Sequence, residues 1–578
     1  MTSESLNQPD DGVRGRTQQR PLASARSRSP YAARPRPQSL FPLGYKEGFS
    51  QWWASIPAAV AEHRVLSFIP FLQQAPTHRQ TGNTADTPNG AGDSLKSQDT
   101  SQQGEVAASS VDDPYGPRRW RSSMVELSGK DRALNEFCVE RIGEEADQNL
   151  VILHGYGAGL GFFYKNFEPL SRAKGWTLYA LDMLGMGRST RPPFKIKAKN
   201  RQDAITEAED WFIDALEEWR IKRKIERFTL LGHSLGGYMA VAYALKYPGR
   251  LNKLILASPV GIPEDPYAVN ADVPEPSETT LGNEFTQDSR DTTAASGGDN
   301  NNFLNAGPKA GDKDIAGTMP APPRRPIPKW LAYLWDCNIS PFSLVRWAGP
   351  LGPRLVSGWT SRRFAHLPEA EAQALHDYSY SIFRLRGSGE YALAYILAPG
   401  AYARSPLIRR IHGVGRQIIR PSSEEATTGA STPSSSGAPT PSSSPSSSWT
   451  SLSANDDSRQ QQQPPSTTTT PPKPQRENGV PVVFLYGEHD WMDVRGGYAA
   501  QAKIEEEKRR VLQNATPEER AADNGSAKVI IIRKAGHHVY LDGWEEFNQI
   551  VLEEMEDVRR RERERAERER RRREGRTD

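Results

Sequence analysis

The chain has 578 residues, 36% of them hydrophobic and 25% charged, with 47 Gly and 45 Pro. A chain of that length folded throughout would be more apolar, so a folded part diluted by disordered segments is expected. Apolar runs stay short of the roughly 18 residues a membrane-crossing helix needs. Two cysteines, Cys138 and Cys337, exclude a disulfide scaffold and fit a reducing compartment. The net charge of +3 gives no reason to expect nucleic acid, but it averages two basic ends, +4 over residues 1–41 and +5 over 559–578, with a body at −6.

Residues 1–45 form a basic N-terminus. No acid falls between Asp11 and Glu47, whereas Arg14, Arg16, Arg20, Arg26, Arg28, Arg34 and Arg36 do. This Arg- and Ser-rich stretch resembles a mitochondrial presequence, against which stand Glu4, Asp10, Asp11 and several prolines. Residues 46–73 carry Phe49, Trp52, Trp53, Val65, Leu66, Phe68 and Ile69, broken by Pro57 and Pro70. The segment is too short to span a bilayer; it either lies on one or packs as a helix on the domain. Residues 74–115 are a linker of Gln, Thr, Asp and Ser with no means of burying a core.

From 116 to 263 the pattern changes. Apolar runs at Leu150–Leu153, Thr177–Leu181, Phe228–Leu231 and Leu254–Ala257 read as buried parallel strands, with helices between them, for example Asp203–Trp219 and Tyr238–Lys246. Two further strands, Val480–Leu485 and Lys528–Ile532, lie in a second core part at 479–558. The alternation predicts an α/β fold, a mostly parallel sheet with helices on both faces. An insertion at 264–319, a helical cap at 320–420 and a Ser/Thr/Pro/Gln insertion at 421–478 separate the two parts, and residues 559–578 read as a charged extension of the last helix, held by i,i+4 pairs.

The sharpest chemical signal is Gly232-His-Ser234-Leu235-Gly236-Gly237 at the end of a strand and the start of a helix. Glycines two residues either side of a serine permit the tight turn that lifts the hydroxyl above a sheet, the nucleophile-elbow pattern. Serine needs a base oriented by an acid, and the chain order for this elbow is Ser, acid, His. Asp490, in the Gly-x-x-Asp that ends the Val480 strand, is the candidate acid, with Asp493 as fallback; either could instead cap the next helix. His537, directly after Gly536, is the candidate base in preference to His538. Oxyanion donors are expected from the Leu235 amide and from the loop His154-Gly155-Tyr156-Gly157, with Tyr156 N–H first and Gly157 next. His154 and the Asp182–Ser189 loop read as structural. The His, Cys and Asp spacings do not match a zinc site, so neither metal nor cofactor is expected.

Together HGYGAG, LDMLGMGRS, GHSLGG, SPVGIPEDP, YGEHDWMD and AGHHVYLDGWEEFN, with Gly387–Glu390 and Ser405–Ile411 in the cap, resemble the lysophospholipase-like branch of the α/β-hydrolases over about 330 residues. That branch includes the animal lipid-droplet lipase co-activator, its N-acyl-phospholipid-cleaving relative and the fungal mitochondrial cardiolipin-specific deacylase, to which the resemblance is greatest. It implies an α/β-hydrolase fold, a Ser234–Asp490–His537 triad, and an ester hydrolase acting on a membrane phospholipid, cardiolipin above all, while peripheral to the inner mitochondrial membrane; the alternative place is cytoplasm or lipid droplet. Unlike the co-activator, the chain keeps a serine at the elbow. His537-x4-Asp542 matches a pattern associated in this branch with acylation of lysophosphatidic acid. Asp542 is read mainly as a loop or helix-start residue, with acyl transfer as one alternative and a non-catalytic co-activator or scaffold as another. The cap aromatics, Trp347, Trp359, Tyr378 and Tyr380 among them, and the Arg residues beside them suit an acyl slot with a phosphate-binding entrance.

Overall fold

The computed structural model describes residues 41–71, 113–264, 338–398, 402–419 and 475–574. The presequence-like N-terminus, nearly all of the 74–115 linker and the bulk of both insertions fall outside the described residues.

Two helices, α1 (Tyr45–Ala54) and α2 (Ala58–Leu66), precede the sheet. The core then runs β1 (Arg118–Glu126), β2 (Ala133–Arg141), β3 (Gln148–Leu153), α3 (Tyr164–Leu170), β4 (Trp176–Leu181), α4 (Arg201–Lys222), β5 (Phe228–His233), α5 (Leu235–Lys246) and β6 (Leu251–Ala257). The cap contributes α6 (Pro341–Trp347), α7 (Gly352–Arg363) and α8 (Glu369–Phe383). The chain returns to the core through β7 (Pro481–Gly487), α9 (Val494–Leu512), β8 (Ser526–Ile532), α10 (Val539–Asp542) and α11 (Trp544–Glu574).

The eight strands form one sheet in the order β1-β2-β4-β3-β5-β6-β7-β8. From β4 to β8 all neighbours are parallel, and β1, β2 and β4 pair antiparallel. The six expected strands are all present. The sequence reading lacks the β1–β2 hairpin, because polar residues that are buried there, Arg118, Ser122, Ser123, Asn135 and Glu136, interrupt the apolar runs of its strands. It also errs on the burial of Lys528–Ile532: β8 has a neighbour on one side only, its residues are mostly half-exposed, and Lys528 reaches out to pair with Glu554.

Two apolar layers sandwich the sheet. One packs α4 and α5 against Leu230, Leu254 and Phe484; the other packs α3, α11 and the cap against Ile152, Leu231, Ile255 and Leu485. Of the two expected fates of the 46–73 segment, packing on the domain is what α2 shows. In α2, Ala61, Val65 and Leu66 are buried, with Ile69 just beyond, and Glu62 is inserted beside the β4 loop, where it pairs with Arg188 at 2.5 Å and accepts from Asn135 and Tyr378. In α1 the outer face stays exposed. The expected tail is continuous helix to Glu574, with i,i+4 pairs Arg561–Asp557 and Arg565–Glu569. Among the described residues no helix is long and apolar enough to cross a membrane.

Candidate active site

Ser234 stands at the joint between β5 and α5 with φ 52° and ψ −116°, a backbone state that non-glycine residues rarely adopt and that costs on the order of 1–3 kcal/mol. Its N–H donates to the Ala257 carbonyl and its own carbonyl accepts from Tyr238, so both neighbouring elements hold the turn. Gly232 and Gly236 are required by space: a Cβ on the first would overlap the Gly236 carbonyl, and one on the second would lie 2.6 Å from the His154 carbonyl.

The Gly-rich loop after β3 reaches the serine for the same reason. A Cβ on Gly155 would sit 3.1 Å from Ser234 Cβ and 2.8 Å from His233 Nδ1, so only glycine lets the loop approach this closely. Tyr156 follows, its ring stacked on Phe342 of α6 at 5.1 Å, and Phe342 stacks in turn on Phe383. Leu235 is the first residue of α5, where an N–H lacks an intrahelical acceptor. Both expected oxyanion donors are thus on segments that meet at Ser234.

His537 and Asp490 come together from the loops after β8 and β7. His537 Nδ1 lies 3.1 Å from Asp490 Oδ1, and both side chains are almost fully buried. A carboxylate at Nδ1 fixes the tautomer that leaves Nε2 free to accept a proton, and Nε2 has no hydrogen-bond partner among the described residues. The carboxylate is itself tied down, since Asp490 Oδ1 also accepts from Met492 N–H. Asp493, the fallback, is elsewhere: it is the N-cap of α9 and accepts from Arg495 N–H. His538, the other candidate base, accepts from Arg363 Nε at 2.8 Å. Burial, with Arg363 beside it, pushes the His538 ring far below the usual histidine range, so it stays neutral.

The remaining motif residues have structural partners. His154 donates from Nδ1 to the Gly155 carbonyl and accepts at Nε2 from Met183 N–H; burial lowers its pKa despite Asp182 nearby. Asp182 accepts from Leu160 N–H, Arg188 N–H and Asn135, which organises the loop as expected. Asp542 ends α10. One carboxylate oxygen accepts from Gly536 N–H, immediately before His537, and the other pairs with Arg363 at 2.9 Å.

Several residues near the site carried no sequence signal. His233, inside the elbow motif, lies 3.1 Å from the His537 carbonyl through Nε2, and its ring is 4.8 Å from that of His537; burial, then His537, holds it well below the usual histidine range. Trp491 packs on His537 at 4.7 Å. Arg363 reaches in from the cap. The cap arginines also differ from the expected phosphate-binding entrance, because Arg346, Arg363, Arg409 and Arg410 are held by Glu390, Asp542, Glu264 and Glu209. Arg346, Arg363 and Arg410 are largely buried, which favours such pairing, whereas the Arg409–Glu264 pair is exposed. Among the described residues no group of three or more His, Cys, Asp or Glu is placed to hold a metal ion.

Residues 148–343 match the family model described as alpha/beta hydrolase fold. A 1-acylglycerol-3-phosphate O-acyltransferase ABHD5 of Mus musculus is 31% identical over 303 residues, 52% of this chain and 68% of that protein. The chain belongs to the α/β-hydrolase family. Within the family it is also similar to a 1-acylglycerol-3-phosphate O-acyltransferase of Arabidopsis thaliana (35% over 302 residues, 51% of this chain) and to a human (lyso)-N-acylphosphatidylethanolamine lipase (30% over 272 residues, 46% of this chain). The chain spans 58% and 62% of the lengths of these two relatives. This α/β-hydrolase therefore has relatives named for lipid acyl transfer and for lipid hydrolysis.

Proposed function

We propose that the chain is a serine hydrolase that deacylates membrane glycerophospholipids, with Ser234 as nucleophile, His537 as base and Asp490 as its orienting acid. The observation that carries this reading is the buried His537–Asp490 hydrogen bond, on a loop whose His537 carbonyl lies 3.1 Å from Nε2 of His233, the residue before a serine held in a strained strand-to-helix turn. His537 Nε2 takes the Ser234 proton as the oxygen attacks an acyl ester. The Tyr156 and Leu235 amides hold the oxyanion, each donor contributing about 3 kcal/mol. His537 returns the proton to the departing lysolipid oxygen, which leaves an acyl-serine. Water, deprotonated by the same imidazole, releases the fatty acid.

Cardiolipin at the inner mitochondrial membrane is the favoured substrate and place, supported by the branch resemblance and the basic, acid-free stretch before Glu47. Acyl transfer to a lysolipid is the second reading, favoured by the names of the plant and mouse relatives. The two share the acyl-serine and differ in what accepts the acyl group. Purified protein given cardiolipin, and separately lysophosphatidic acid with acyl-CoA, distinguishes them by product mass. Monolysocardiolipin and free fatty acid support the hydrolase; phosphatidic acid formed faster than free fatty acid favours transfer; neither product contradicts both.

A further inference from the structure

The cap and α1 share one exposed apolar face. On α1, Tyr45, Phe49 and Trp53 recur at the four-residue spacing of one helix side, and Tyr45 and Trp53 are 70% and 74% exposed. Leu344 and Trp347 of α6, Leu351 in the following turn and Leu355 of α7 are exposed too, Trp347 at 69%. The two sets are physically joined. Gly48 of α1 is so close to the cap that a Cβ there would touch Pro350 O and Arg354 Cβ, and the Arg354 guanidinium lies 3.8 Å over the Tyr45 ring. Leu43 N–H also donates to Ser357 Oγ. Large aromatic side chains left in water over a contiguous area mark a surface that is covered in use.

Charge says what covers it. From Asn338 to Pro368 the chain has no Asp or Glu, while Arg346, Arg354, Arg362 and Arg363 fall there. Glu390 and Asp542 neutralise Arg346 and Arg363 on the inner side, and Lys46 and Glu47 cancel on α1, so the excess on this face is positive, with Arg354 at its centre. Exposed Trp and Tyr beside Arg, with Glu47 the one acid on α1 and offset by Lys46, match the interface of a bilayer with anionic headgroups, where the rings enter the headgroup level and each cation adds about 1 kcal/mol.

Position links the face to the site. Helix α6 turns Leu344 and Trp347 outward while Phe342 stacks inward on Tyr156, the residue after Gly155 in the loop that touches Ser234. One helix thickness, about 10 Å, separates the outer side chains from that loop. We propose that this composite face, α1 with α6 and the start of α7, docks on an anionic lipid bilayer and brings the α6 wall of the site onto the membrane surface. The proposal rests on the reading of a membrane-lipid substrate and names the surface that meets it.

Co-sedimentation with phosphatidylcholine vesicles, with and without phosphatidylglycerol, tests it on the full chain. Wild type is expected to bind vesicles containing phosphatidylglycerol, more weakly in high salt, and phosphatidylcholine alone poorly. A Leu344→Ser/Trp347→Ser/Leu351→Ser variant is expected to lose at least tenfold in vesicle affinity (roughly 1.4 kcal/mol) while turning over soluble p-nitrophenyl butyrate as wild type does. Should that variant unfold, Tyr45→Ser/Trp53→Ser on α1 makes the same test. Equal binding by variant and wild type, indifference to phosphatidylglycerol, or binding to neither vesicle overturns the proposal. Failure of wild type to hydrolyse p-nitrophenyl butyrate would instead count against the serine hydrolase itself.

Discussion

Replacing Asp542 separates a structural from a chemical role for the His-x4-Asp spacing. Its carboxylate is committed twice: Oδ2 accepts from Gly536 N–H at 3.1 Å and Oδ1 pairs with Arg363 at 2.9 Å. Arg363 also donates to His538, so a cap helix, the loop carrying His537 and α10 meet at this pair. Side-chain exposure is 7% for Arg363 and 13% for Asp542, so the guanidinium is buried and the carboxylate largely so. Removing one partner of a buried pair leaves an uncompensated charge and costs about 3–5 kcal/mol. Asp542→Ala is therefore expected to lower unfolding free energy by about that amount in urea titration. Asp542→Asn keeps an acceptor for Gly536 and should cost roughly half as much. If Asp542 acts through this clasp, p-nitrophenyl butyrate hydrolysis and any acyl transfer fall together, with Asn rescuing both in part. A stability loss below about 0.5 kcal/mol for Asp542→Ala, or loss of transfer with hydrolysis intact, would refute the reasoning.

Other substitutions have directions set by the geometry. His233→Ala removes the contact to the His537 carbonyl; kcat should fall roughly 10- to 100-fold with KM little changed, and an unaltered kcat would show that His537 is placed without it. Asp490→Asn should cost roughly 10⁴ in kcat, whereas Asp493→Ala should leave kcat alone and cost about 1 kcal/mol of stability as a lost helix cap; the reverse pattern would exchange their roles. Burial pushes the Glu62 carboxyl up to about 7 against the pull of Arg188. Unfolded, it titrates near 4.5, so between these values the folded state holds the extra proton and stability falls as pH rises, by up to about 3 kcal/mol. Glu62→Gln should flatten that slope in melts taken across this window; an unchanged slope would assign the titration to another group.

The parts of the site that were legible in the sequence are those made by short local patterns. Gly232–Gly236 around Ser234, Gly487–Asp490 and Gly536–His537 each put a strand end, a glycine and a functional side chain within a few residues, because the sheet delivers all three at one edge. What the sequence hid depends on contacts between distant segments. Arg363 meets Asp542 across 179 residues, and Glu62 meets Arg188 across 126. Nothing in the local pattern around either residue marks the partner. His233 was in view inside the elbow, yet its role appears only when β5 lies beside the His537 loop. The β1–β2 hairpin escaped because its buried positions include Arg118, Asn135 and Glu136, most of whose polar partners lie far along the chain, so no continuous apolar run marks these strands. In the cap, composition favoured free arginines for phosphate, and the fold commits four of them to carboxylates instead.

Attack of Ser234 on a phospholipid ester is the central claim. Wild type and Ser234→Ala, incubated with a panel of mitochondrial phospholipids and resolved by product mass, test it most directly. Lysolipid and free fatty acid are expected from wild type, with a loss of roughly 10⁴- to 10⁶-fold in the variant and unchanged vesicle binding. Undiminished fatty acid release by Ser234→Ala would contradict it.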